Sequence, residues 1–109
     1  MSIAYFYHSD CLLHDMGSGH PERAARISAI ADRMNASQLM DFVHYYDAPQ
    51  ATRQQLARVH DDQYIDQIIS YEGKEGYTQL GPDAVLSPHT PQAALRAAGA
   101  LVHATDLVL

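Results

Sequence analysis

The chain has 109 residues, 47% hydrophobic and 18% charged, a balance that excludes the composition of disordered segments and gives room for one domain over residues 1–109 but not two. Thirteen acidic residues against seven scattered basic ones leave a formal charge of −6, and without clustered Lys and Arg to neutralise phosphates no nucleic-acid partner is expected. No apolar run approaches the ~20 residues of a membrane span, and Met1-Ser2 enters Ile3–Tyr7 with no basic n-region, so the expectation is a cytoplasmic chain with no membrane partner.

Ile3 to Tyr7 is short, apolar and rich in aromatics, which predicts a buried strand. His8 to His20 reads as a long irregular loop. It contains the lone Cys11, which has no internal disulfide partner and reads as a small reduced residue, and Gly17 and Gly19, which permit backbone angles other residues resist. Pro21 suits a first helical position, and Ala24, Ile27, Ile30, Ala31 and Met34 at spacings of three and four predict a helix over about 21–34. Asn35 to Gln38 is a break. Phe42 to Tyr46 then has the β-branched and aromatic density of a second strand, completing a βαβ pattern.

Thr52 is an N-cap for a short helix carrying Leu56 and Val59, and Asp61 caps another in which Tyr64, Ile65, Ile68 and Ile69 share a face. Gly73, Gly76, Gly81 and Pro82 mark a loop. Thr90-Pro91 combines a capping side chain with proline at the first helical position and opens a last helix running to the C-terminus. That helix is apolar almost all round, as in helices covered on more than one side.

Seven histidines invite a metal reading, but none forms a His-x-x-x-His pair and no Cys-x-x-Cys knuckle exists. The nearest grouping, His8, His14, Asp15 and His20, lies in one loop with no rigid element to fix the side chains relative to each other. Ser18 between Gly17 and Gly19 lacks the strand, tight turn and helix of a nucleophile elbow. Glu22 in the first turn of the first helix competes with any anion for that helix end.

Three motifs follow one another in order. They are His14-Asp15-x-Gly17-x-Gly19-His20-Pro21-Glu22-Arg23, Leu56-Ala57-x-Val59-His60-x-x-x-Tyr64-Ile65, and Pro82-Asp83-x-x-x-Ser87-Pro88-x-Thr90 leading into Ala93-Ala94-x-x-Ala97-Ala98-Gly99. Together they resemble the N-terminal part of the class II-like histone deacetylases and acetylpolyamine amidohydrolases. The resemblance implies an α/β, arginase/deacetylase-like fold, here partial, with two short parallel strands, several helices and an incomplete sheet. In that family a zinc-activated water hydrolyses acetyl-amide bonds, using tandem histidines and zinc ligands that include an Asp-x-His.

This sequence contains no His-His pair and no Asp-x-His, so it is expected to hold no catalytic residue, no metal ligand and no cofactor of its own. Two substrate-contacting positions carry over by resemblance. Arg23 matches the arginine lining an internal channel through which acetate would leave; otherwise it is an arginine paired with a carboxylate. Asp83 matches an acidic residue at the rim that holds the substrate backbone, although the family's Asp-Thr is Asp83-Ala84 here; otherwise it is a solvated turn residue. His60 and Tyr64 read as scaffold.

The expected function is that of an N-terminal deacetylase-family segment, inactive alone. The alternative is a self-associating or partner-binding module derived from the same fold. An open strand edge and the apolar last helix predict a homodimer or higher oligomer, and a complementing C-terminal chain is the further possible partner.

Overall fold

A computed structural model describes residues 2–109. Strand β1 (Ile3–Tyr7) leads through a 3₁₀ turn at Ser9–Leu13 and the glycine loop into helix α1 (Ala24–Ala36). A second 3₁₀ turn at Leu39–Phe42 then delivers strand β2 (Val43–Asp47). β1 and β2 pair in parallel, Ile3 opposite Val43 through Tyr7 opposite Asp47, with α1 as the crossover. Two short helices, α2 (Arg53–Leu56) and α3 (Asp62–Ile69), precede strands β3 (Thr78–Gly81) and β4 (Ala84–Leu86) and the long helix α4 (Thr90–Val108). The result is a partial α/β fold, a two-stranded parallel sheet beside a two-stranded antiparallel one.

The aromatic strands zip through cross-strand pairs. Tyr5 stacks on Tyr45 at 6.2 Å on one face, and Phe6 on Tyr46 at 5.1 Å on the other. His103 of α4 sets its ring edge-on against both Phe6 and Tyr46, at 5.4 and 5.7 Å, so α4 covers that face. Tyr5 and Tyr7 instead face Ile27 and Ala31 of α1. The sheet therefore has a helix on each face and, among the described residues, an unpaired edge on each strand.

Beyond β2 the chain crosses α4 as a strap. Ala48 and Ala51 are buried, the Ala51 amide donates to the Leu95 carbonyl at 2.9 Å, and Gly99 lets the Pro49 carbonyl rest on the helix backbone. Arg96 fastens the strap from the side, donating from Nη1 to the Ala48 carbonyl and from Nε to Asp10 Oδ2, both at 3.0 Å.

Several expectations are corrected. Helix α1 starts at Ala24, not Pro21. Arg23 takes the extended N-cap conformation, since residues 21–23 continue the bends set by Gly17 and Gly19, both at positive φ. β1 is not a buried strand: Ile3 is 60% exposed and the strand is at best half-buried, because it has a strand neighbour on one side only. The region read as one loop across Gly73 to Pro82 contains β3 and closes as the β3–β4 hairpin. Val59 falls outside α2 and is exposed. Thr90 does not cap α4: His89 holds the N-cap position and the Thr90 hydroxyl is engaged elsewhere. The loop after β1 contains the 3₁₀ turn, capped by the His8 ring accepting the Asp10 amide at 3.0 Å.

Candidate functional site

The glycine loop is fixed by its carboxylate and by the turn before α4. Asp15 Oδ1 accepts the Gly17 amide at 2.9 Å, closing the turn that Gly17 makes at φ +95°, and Tyr77 donates its hydroxyl to Asp15 Oδ2 at 2.6 Å. Buried Met16 anchors the loop. The Tyr77 hydrogen bond, seconded by the Gly17 amide, holds the Asp15 carboxyl below its ordinary range, and the same bond raises the Tyr77 phenol above its own.

From Asp15 a chain of hydrogen bonds runs inward. The Asp15 amide donates to Ser87 Oγ at 3.2 Å; Ser87, only 1% exposed, contacts Thr90 Oγ1 with both its amide and its hydroxyl at 2.9 Å; and Thr90 Oγ1 lies 2.7 Å from His14 Nδ1. The Ser87 amide donates to Thr90 Oγ1, the Ser87 and Thr90 hydroxyls share a further bond, and His14 Nε2 lies 3.5 Å from Glu22 Oε2. These links pin the side chain of an otherwise irregular loop to the buried start of α4.

His14 and Glu22, with Thr90, form a wall between two cavities. On one side a groove of about 360 Å³ lies between α3, the hairpin and α4, with apolar walls of Ile65, Ile68, Leu86 and Leu95. On the other a cavity of about 310 Å³ opens between α1 and α4, lined by Cys11, Ile27, Ala93 and Ala97. Burial, reinforced by Asp10 and opposed by Arg96, pushes the Cys11 thiol up, so it is a poor nucleophile at neutral pH.

Asp83, exposed on the hairpin turn, lines the groove; Arg23, exposed at the α1 N-cap, lines the second cavity. The fold brings the two onto opposite sides of one wall rather than into one pocket. Among the described residues the Arg23 guanidinium has no carboxylate partner, whereas Arg53 and Arg96 do. His60 and Tyr64 lie against each other at 5.4 Å on the groove's flank.

The loop histidines separate: His8 caps the 3₁₀ turn, His14 faces Thr90 and Glu22, and His20 accepts the Glu22 amide at 3.0 Å. Among the described residues no three His, Cys, Asp or Glu side chains gather as a metal-holding set. The described residues therefore do not by themselves fit a zinc ion. Ser87 and Thr90, read from the sequence only as motif and cap positions, and Tyr77, which carries no sequence signal, are the further residues that fix the site.

Residues 20–109 match the family model of the histone deacetylase domain, and the chain belongs to that family. It is 38% identical over 69 residues to histone deacetylase RPD3 of Saccharomyces cerevisiae, covering 59% of this chain and 15% of that protein. It is 26% identical over 110 residues to the uncharacterized protein slr0245 of Synechocystis sp., covering 98% of this chain and 36% of that one. The crystal structure of the HDA15 HD domain superimposes with a TM-score of 0.79 at 24% identity, covering 90% of this chain and 29% of that one, a likeness of fold. The chain thus spans between 15% and 36% of the length of these relatives. No helix among the described residues is long and apolar enough to cross a membrane.

Proposed function

We propose that this chain provides the substrate-holding and product-channel walls of a zinc-dependent amide-hydrolysing deacetylase site and does not hydrolyse amides alone. The observation that carries this reading is the wall of His14, Glu22 and Thr90, with Asp83 on the groove side and Arg23 on the other. A carboxylate on an exposed turn beside an apolar groove suits an N–H donor of a peptide or acylated amine. An arginine with no carboxylate partner, facing an apolar cavity, suits a small carboxylate such as acetate.

Zinc, where the family uses it, lowers the pKa of a bound water to about 7. No residue set described here gathers to hold that ion, and the sequence has neither the tandem histidines nor the Asp-x-His of the family. The chain's own part is to bind and orient, in a cytoplasmic setting. Incubating the purified chain with zinc and an acetyl-lysine peptide tests this. Free acetate should stay at the level of a protein-free control, and zinc-dependent turnover would overturn the proposal.

A second reading, self-association, is favoured by the C-terminal half of α4, where Leu101 is 70% and Val108 82% exposed. Sedimentation equilibrium decides it: a mass twice that of the chain or more supports a homodimer or higher oligomer, and a monomer at high concentration removes it.

A further inference from the structure

Among the described residues, Glu22 is the one acidic side chain lining the cavity that Arg23 and Arg26 also line, and its carboxylate is on neither arginine. Both arginines are exposed, and neither has a carboxylate within ion-pair distance among the described residues. The Glu22 carboxylate lies instead beside His14, Oε2 to Nε2 at 3.5 Å. This placement calls for a cause. Glu22 adjoins Arg23 in sequence, shares a cavity with both guanidinium groups, and stands just ahead of α1, whose N-terminus attracts negative charge to the same place. Its side chain is 53% exposed, so packing does not hold it.

His14 is placed to hold it. The other ring nitrogen, Nδ1, is 2.7 Å from Thr90 Oγ1, which accepts the amide of buried Ser87 at 2.9 Å. The ring is thereby tied to the buried start of α4. His20 Nδ1 accepts the Glu22 amide at 3.0 Å and sets where the Glu22 backbone stands. We infer that His14 is a positioning residue of this cavity: it keeps the Glu22 carboxylate off Arg23 and Arg26, and so leaves both guanidinium groups open to a small carboxylate.

The consequence for binding is one of competition. A guanidinium offers a planar fork of donors that suits any carboxylate, whether tethered or free. With Glu22 on the arginines, an incoming anion would have to displace a group of its own chemistry held permanently alongside. Its apparent affinity would fall in proportion to the fraction of molecules whose arginines are free. Glu22 is thus a built-in competitor for the anion, and His14 is its restraint. The inference rests on the reading of this cavity as the place of a small carboxylate.

Titration of sodium acetate into the full ¹⁵N-labelled chain tests it, at ionic strength held constant with chloride and read at the Arg23 and Arg26 Nε–Hε resonances. In the wild type these should shift and saturate with acetate and not with chloride. His14→Ala should raise the apparent acetate Kd about threefold to fivefold, the factor expected when an ion pair of ordinary surface strength competes. Glu22→Gln removes a nearby negative charge and tightens binding in either background. The deciding quantity is the difference: Glu22→Gln should tighten binding about threefold more in the His14→Ala background than in the wild type. His14→Phe keeps the ring's bulk and gives the same cycle should the alanine variant lose its fold; an unchanged Tyr7 amide exchange rate marks an intact sheet.

Damage to the fold from loss of His14 would weaken binding equally with and without Glu22→Gln. Equal effects of Glu22→Gln in both backgrounds, or an unchanged Kd in both His14 variants, would therefore overturn the inference and leave the product-channel reading standing. Absence of acetate-specific shifts in the wild type would overturn both, and shows before any variant is made.

Discussion

Gly99 and Pro49 meet backbone to backbone: a β-carbon on Gly99 would collide with the Pro49 carbonyl and stand 2.8 Å from the Ala51 nitrogen. The contact is main chain on main chain, so no side chain can rotate out of the way. Gly99→Ala would gain about 1 kcal/mol in helix propensity and lose about 1–3 kcal/mol to overpacking at the strap. The expected net is destabilisation, read as a lower urea midpoint. An unchanged or higher midpoint would mean that the strap can lift off α4 without loss.

Thr90 Oγ1 accepts the amide of buried Ser87, shares a hydrogen bond with its hydroxyl and meets His14. Thr90→Val keeps the shape and strands the Ser87 amide and hydroxyl, at a cost of about 1–3 kcal/mol. The signature beyond lower stability is faster exchange at the Ser87 and Asp15 amides, because both belong to the same chain of bonds. A stability loss with those amides unaffected would assign Thr90 a packing role only.

Arg96 is half-buried and joins the 3₁₀ turn to the strap through Asp10 and Ala48. Arg96→Met retains the aliphatic stem and removes both bonds, leaving Asp10 without its cation; about 2–3 kcal/mol should be lost in thermal or urea unfolding. Arg53, whose partners Asp62 and Asp66 are exposed, should tolerate the same change with little effect.

The Asp15–Tyr77 bond makes the loop's attachment dependent on pH at both ends. The folded Asp15 lies below its unfolded value, so its contribution is present above the unfolded carboxyl pKa of about 3.9 and is lost as pH falls through the folded value. The folded Tyr77 lies above its unfolded value, so its contribution is complete below about pH 10 and is lost as pH rises through the folded value. Tyr77→Phe should lower the neutral plateau of a plot of Tm against pH and leave the acid and alkaline extremes nearly where they were, so that both limbs flatten. Unchanged limbs would show that other groups set them.

The elements governed by local chemistry were readable from the residues. Thr52 forms a capping box with Gln55, and Asp61 accepts the Gln63 amide, as their positions ahead of short helices imply. The aromatic runs became the two parallel strands. What could not be read depends on contacts distant in the chain. Pro21 satisfies the rule for a first helical position, yet two positive-φ glycines just before it keep the backbone bending for three more residues. Thr90 has a capping residue's chemistry but spends it on Ser87 and His14, the latter 76 positions away.

The same separation hid the site. Asp83 and Arg23 came from resemblance, and both line cavities, but that one wall divides them follows only once α4 lies across the glycine loop. The β3–β4 hairpin escaped notice because Gly81-Pro82 reads as a loop, although Tyr71 donates to the Gly76 carbonyl and Thr78 donates to the Tyr71 hydroxyl, holding the approach to β3 in place.

His103 closes over Phe6 and Tyr46 from almost sixty residues farther along the chain. During synthesis at roughly 5–20 residues per second, the two strands emerge and can pair around α1 some 3–12 s before the helix that shields their aromatic face exists. In that interval the stacked rings and both strand edges are open to any neighbouring nascent chain. The interval of greatest aggregation exposure is thus set by the order of elements along the chain, and a chaperone binding apolar surface would act on the first half while the second is still being made.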